Sequence, residues 1–163
     1  MAGESSFDVV SEFDQQELVN ALDQTRREIA TRFDFKGSHC SLDLGKEEIT
    51  LLADDEFRAK AVRDLVESKA VRRGLSLKIF DWGKPEAAAG GTLRQRIGLR
   101  RGLTSDQAKE IAKIVRERFP KVKPVIQGDA VRVSAKSKDE LQGVIGHLRG
   151  LDYPVALQFT NYR

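Results

Sequence analysis

A single β-α-β-β-α-β pattern occurs twice in this chain, and that repetition limits the folds open to it more than any other feature. Around Gly45-Lys46 a strand-like run, a two-residue turn, a second strand-like run and a capped helix succeed one another. The same series returns around Gly128-Asp129, about 83 positions later. With 163 residues and 40% hydrophobic content, the chain suits two small domains of roughly 80 residues, each with its own core. The expected architecture is therefore α+β: duplicated ferredoxin-like domains, each an antiparallel sheet covered on one face by two helices. The opposite sheet face is left open.

The local signals are explicit. Phe7, Val9 and Ser11 alternate with polar or smaller neighbours as a short strand. Asp14 caps a helix whose apolar positions Leu18, Ala21, Leu22, Thr25 and Ile29 lead to Phe33. Ser41–Leu44 and Ile49–Leu52 flank Gly45-Lys46 as a hairpin, where glycine permits a positive φ. Asp54 or Asp55 caps the next helix, with Phe57, Ala61, Val62, Leu65 and Val66 as its stripe, and Leu75, Leu77 and Ile79 follow as a strand. In the second copy Leu93, Ile97 and Leu99 alternate with Arg94, Arg96, Gly98 and Arg100. Thr104 with Gln107, and Ser137 with Glu140, form capping boxes, and Val155, Leu157 and Phe159 close the chain as a strand. The Pro- and Gly-containing stretch 83–91 reads as a linker between domains at 1–82 and 92–163.

Charge is divided unevenly along the chain. Residues 1–83 hold 12 Lys/Arg against 17 Asp/Glu, and residues 84–163 hold 16 against 8, so the second copy is expected to meet anions. Period-two geometry sets Arg94, Arg96 and Arg100 on one strand face about 7 Å apart, a spacing comparable to successive phosphates. Arg101 extends the run. The competing reading is a solvated face balanced by carboxylates of an adjacent strand. The loop Phe35-Lys36-Gly37 suits base stacking and phosphate contact, with Phe33 assigned to the core and Phe35 to the surface.

Several reaction classes find no support. His39 and His147 are the only histidines and Cys40 the only cysteine, which is too few for a histidine- or cysteine-rich metal site. Asp54-Asp55-Glu56 fits a helix start better than a cation site. No Walker loop, nucleophile elbow or dinucleotide fingerprint is present. Trp82 is expected to anchor packing. No apolar run reaches the roughly 18 residues of a membrane span, and no secretory leader is evident, so a cytoplasmic protein without cofactor is expected.

Four segments, Ser6–Ser11, Arg32–Gly37, Gln127–Val133 and Phe159–Arg163, together resemble the YajQ-like family of small bacterial nucleotide-binding proteins. The resemblance implies that the halves exchange first strands, with residues near 7–11 joining the second sheet and those near 93–99 the first. It also implies binding of a nucleotide, a cyclic dinucleotide or RNA, and for some members a link to a transcription regulator. The family motifs fall on Phe35, Lys36, Gly37, Asn161 and Arg163, with Arg132 and Tyr162 inside the same segments. The expectation is a non-catalytic nucleotide-binding protein, and the rival is a protein-protein adaptor with no nucleotide ligand.

Overall fold

Helix starts are where local chemistry places them. In the computed structural model, which describes residues 3–163, the Asp14 carboxylate accepts from the amides of Gln16 and Glu17 at the start of α1 (Gln15–Thr31). Asp55 accepts from Arg58 N–H at α2 (Glu56–Arg72), and Ser137 from Glu140 N–H at α4 (Lys138–Gly150). Thr104 and Gln107 complete a reciprocal box at α3 (Ser105–Arg118). Phe57 departs from its expected place on the apolar stripe of α2: it is exposed, and the buried set is Ala59, Val62, Leu65, Val66 and Ala70.

Among the described residues, nine strands form two antiparallel sheets: β1 (Ser5–Val10), β2 (Ser41–Leu44), β3 (Glu48–Ala53), β4 (Phe80–Trp82), β5 (Glu86–Ala87), β6 (Leu93–Leu99), β7 (Lys123–Gln127), β8 (Ala130–Ala135) and β9 (Gln158–Thr160). One sheet has the order β7-β8-β1-β9. The other has β2-β3-β6-β4, with β5 also on β6. Phe7 lies opposite Val133 and Val9 opposite Val131, while Ile97 lies opposite Ile49. Leu75, Leu77 and Ile79 do not form the expected strand: Leu77–Ile79 is a single 3-10 turn leading into β4.

Two compact units follow. One comprises residues up to Glu12 with Arg101–Arg163, and the other Phe13–Arg100. In the first, Phe7 and Val9 pack with Ile111, Val115, Val131, Val133 and Leu148; in the second, Ile97 packs with Leu18, Leu22, Ile49, Leu51 and Val66. Counted over these units, the charges are 12 Lys/Arg against 10 Asp/Glu and 16 against 15. The imbalance between the halves of the chain is therefore absent between the units, because Glu4, Asp8 and Glu12 fold with Arg101–Arg163 while Arg94, Arg96 and Arg100 fold with Phe13–Arg100.

The 83–91 stretch is also more ordered than a linker. Gly83 N–H donates to Arg96 O at 2.8 Å, Glu86 and Ala87 pair with Arg94 and Leu93, and Ala88 N–H donates to Thr92 O at 2.8 Å. Without a helix or strand pattern of its own, its backbone finds partners on β6. Gly45 also differs from expectation, since it has no positive φ. Its N–H donates to Glu48 O at 2.8 Å, and a Cβ there would stand 3.1 Å from that oxygen, so close approach is its reason for being glycine. No helix among the described residues is long and apolar enough to cross a membrane.

Candidate functional site

The C-terminal tail is shaped by a bulge. Thr160 of β9 lies opposite Asp8, and two residues further along β1 the Ser6 and Arg163 backbones exchange both hydrogen bonds, at 3.1 and 3.0 Å. Phe7 alone thus faces both Asn161 and Tyr162. Asn161 supplies the turn with φ +56, a conformation asparagine tolerates better than most residues. The consequence is a re-aimed Tyr162, 59% exposed, with its ring centroid 6.0 Å from that of Phe7.

Asp8 holds this arrangement together. Since Phe7 and Val9 point into the core, Asp8 points to the opposite sheet face, where its buried carboxylate accepts from Arg132 Nε at 2.9 Å, Arg132 Nη2 at 3.3 Å and Asn161 Nδ2 at 2.9 Å. The Arg132 hydrogen bond is the main cause of an Asp8 pKa below the ordinary carboxylate value. Burial opposes it, while Asn161 and the nearby Arg163 charge add to it. Three of the four resemblance segments meet at this carboxylate. Arg132 and Asn161, expected at a ligand, both hydrogen-bond Asp8.

Beside the tail is a cavity of about 320 Å³, within the range of small-molecule sites. Ser5 and Ser6 of β1, Lys138, Leu141 and Gln142 of α4, and Tyr162 and Arg163 line it. Among the described residues, the side chains of Lys138 and Arg163 make no hydrogen bond or ion pair. Lys138, in the first turn of α4 with Asp139 and Glu140, and Arg163, whose charge also acts on Asp8, stand beside an exposed tyrosine and a leucine. The arrangement fits a ligand with a flat apolar portion and an anionic end, with hydroxyls and an amide available for its polar edge.

The remaining expected residues lie elsewhere. Arg101 belongs to the same unit and stands 3.9 Å from Glu12. Phe35, Lys36, Gly37, Arg94, Arg96 and Arg100 all belong to the Phe13–Arg100 unit. Phe35 is buried at 4% exposure and Phe33 is 87% exposed, the reverse of expectation. The cause is local: the helix ends at an extended Arg32, and a 3-10 turn over Phe33–Phe35 rotates Phe33 off the stripe and brings Phe35 beneath the Arg32 guanidinium, 5.5 Å away. Lys36 and Gly37 are exposed on a loop fastened by Asp54, which accepts from Ser38 Oγ at 2.7 Å and His39 N–H at 2.8 Å. The Ser38 bond leads the causes that lower the Asp54 pKa.

On β6, Gln95 and Ile97 face inward and Arg94, Arg96 and Arg100 outward. Arg100 is held by the Lys78 and Phe80 carbonyls at 3.2 and 3.3 Å and lies 3.5 Å from Asp81. Among the described residues, Arg94 and Arg96 have no such partner. Trp82 is half-buried against the core of this unit with Arg63 stacked 4.6 Å above it. Ser5, Ser6, Lys138 and Gln142 were not legible as site residues, because only strand pairing across more than 120 positions brings their segments to the tail.

Comparison with known proteins places these features in context. A family model described as "Nucleotide-binding protein YajQ-like" matches residues 5–163. A protein of Chloroflexus aggregans named "Nucleotide-binding protein" is 59% identical over 165 residues, with all of both chains covered. Similarly named proteins of Thermosynechococcus vestitus and Trichodesmium erythraeum are 57% and 54% identical over 163 residues, again with complete coverage of each chain.

Proposed function

This chain belongs to the YajQ-like family, and from that premise we propose that it is a non-catalytic nucleotide-binding protein whose ligand occupies the cavity beside the C-terminal tail. The observation that carries the reading is the pairing, in one concave site, of an exposed tyrosine with two cations that make no hydrogen bond or ion pair among the described residues. Lys138 and Arg163 contact phosphate oxygens, with the guanidinium fork giving direction and the ammonium a compact charge. The base rests on Tyr162 against Leu141. Ser5, Ser6 and Gln142 meet sugar hydroxyls or the base edge. A volume of about 320 Å³ suits one nucleotide unit, either free or as half of a cyclic dinucleotide. Such a ligand would serve as the input to regulation of a transcription factor.

A second reading, RNA binding, is favoured by one separate observation: Arg94 and Arg96 stand two residues apart on an open sheet face without a carboxylate partner. The architecture behind both is read as a duplicated ferredoxin-like unit with exchanged first strands. Support comes from β1 lying between β8 and β9 and β6 between β3 and β4.

Anisotropy titrations with a labelled mononucleotide, a labelled cyclic dinucleotide and a structured RNA, each at two salt concentrations, test the proposal. Saturable binding of a small nucleotide that K138Q/R163Q weakens at least tenfold supports the site, and Tyr162→Ala should weaken it about 5- to 100-fold if a base stacks there. Binding of RNA alone, steep in salt and lost in R94Q/R96Q, replaces the small-ligand reading. Binding of none of the three leaves the adaptor as the better description.

A further inference from the structure

The Phe13–Arg100 unit carries a larger depression that none of the features above uses. It has a volume of about 760 Å³ and lies between α1 and the C-terminal end of α2. Its carboxylates each have a cation beside them, although Glu28 Oε2 is buried without a hydrogen bond. Glu28 Oε2 lies 3.1 Å from Lys69 Nζ, and Glu17 Oε1 receives Asn20 Nδ2 at 3.0 Å and Arg73 Nη1 at 3.5 Å. With those charges cancelled, Arg27 and Arg72 remain, and among the described residues neither side chain has a hydrogen-bond or ion-pair partner. The groove is left with two positive charges.

The macrodipole of α2 explains cations in its last turn, where Lys69 and Arg72 both sit. Arg27 enters the same groove from α1 one turn before that helix ends, outside its last turn, so the dipole accounts for it less well. Two guanidinium forks entering one depression match the oxygens of linked phosphates better than they match a single monoanion. The Gln24 side chain, also without a partner among the described residues, adds a neutral amide donor.

We propose that the α1/α2 groove is an anion site, separate from the tail cavity, for a group of two or more linked phosphates clamped by Arg27 and Arg72. It takes the polyphosphate end of a ligand and needs no aromatic platform, which its lining lacks. The site stands in a different unit from Lys138 and Arg163, so it does not depend on the nucleotide reading of the tail cavity.

Calorimetric titration with inorganic tripolyphosphate at low salt tests it, in a K138Q/R163Q background that removes the tail cavity's cations. One equivalent should bind, and adding R27Q/R72Q should weaken that binding at least tenfold while the unfolding midpoint stays unchanged. No binding in the K138Q/R163Q protein, or binding that R27Q/R72Q leaves intact, overturns the proposal. Failure of the nucleotide reading appears elsewhere, as nucleotide affinity unaltered by K138Q/R163Q in a protein that keeps Arg27 and Arg72.

Discussion

Ile97→Ala is the sharpest test of how strands are distributed between the units. Ile97 is fully buried at the centre of β6, with Ile49 opposite it on β3 and Trp82 on β4, and it packs into the core of the Phe13–Arg100 unit. The substitution deletes three carbons, a transfer loss of about 2.4 kcal/mol at ~0.8 kcal/mol each. A residual void of roughly 60 Å³ adds about 1.4 kcal/mol at ~24 cal/mol per Å³. Strands on both sides prevent collapse, so the total should be about 4 kcal/mol, in the upper part of the usual range for such truncations. With an m-value of ~2 kcal/mol/M, the urea midpoint of this unit should fall by roughly 2 M. Hydrogen exchange read by mass spectrometry locates the loss: protection should drop in β3 and β4 and persist in β7 and β8. Val9→Ala should produce the opposite pattern, since Val9 packs with Val131 and Val133. Loss of protection in β7 and β8 on Ile97→Ala, or a destabilisation below about 1.5 kcal/mol, would refute the reasoning.

Other outcomes follow from the same geometry. The Asp8 carboxyl has a folded pKa below its ordinary value of 3.8, so its stabilising contribution is complete above that value and is lost as pH falls through the lower folded one. Asp8→Asn should flatten the acid limb of the stability curve, measured as urea midpoints between neutral and strongly acid pH; an unchanged slope would show that Arg132 and Asn161 do not hold a charge there. Gly102 has φ +82 and donates its N–H to Ser11 O at 2.6 Å, and a Cβ would stand 2.5 Å from Asp129 Oδ2. Gly102→Ala should cost about 1–3 kcal/mol in thermal or urea unfolding, and adding Asp129→Ala should recover the clash but not the backbone strain. Tyr153, desolvated by burial and facing Glu110, has its pKa pushed up to about 12, so in a Tyr162→Phe protein the ultraviolet phenolate absorbance should stay flat through pH 10 and rise near 12.

Most elements were legible because they are fixed locally. Apolar spacing marked α1 to α4, Asp14, Thr104 and Ser137 marked three of their starts, the choice between Asp54 and Asp55 for α2 fell to Asp55, and Gly128-Asp129 marked a two-residue turn between β7 and β8. The errors lie where a local pattern was extended past its end. Phe33 continued the period of α1 on paper, but the chain leaves the helix at Arg32, so burial passes to Phe35. Arg132 and Asn161 were expected at a ligand, and their partner Asp8, more than 120 residues away, could not be recognised from spacing.

The amino-acid order alone therefore settled the α+β composition, the helices and the helix starts, since those depend on neighbours within a few residues. Tertiary contact decided that β1 pairs with β8 and β9 while β6 pairs with β3 and β4, which evens out the charge between units and assembles the cavity beside Tyr162. Side-chain alternation states which face of a strand must be buried. It does not state against which sheet, because β1 and β6 each offer an alternating apolar face and the choice is made by packing among distant segments.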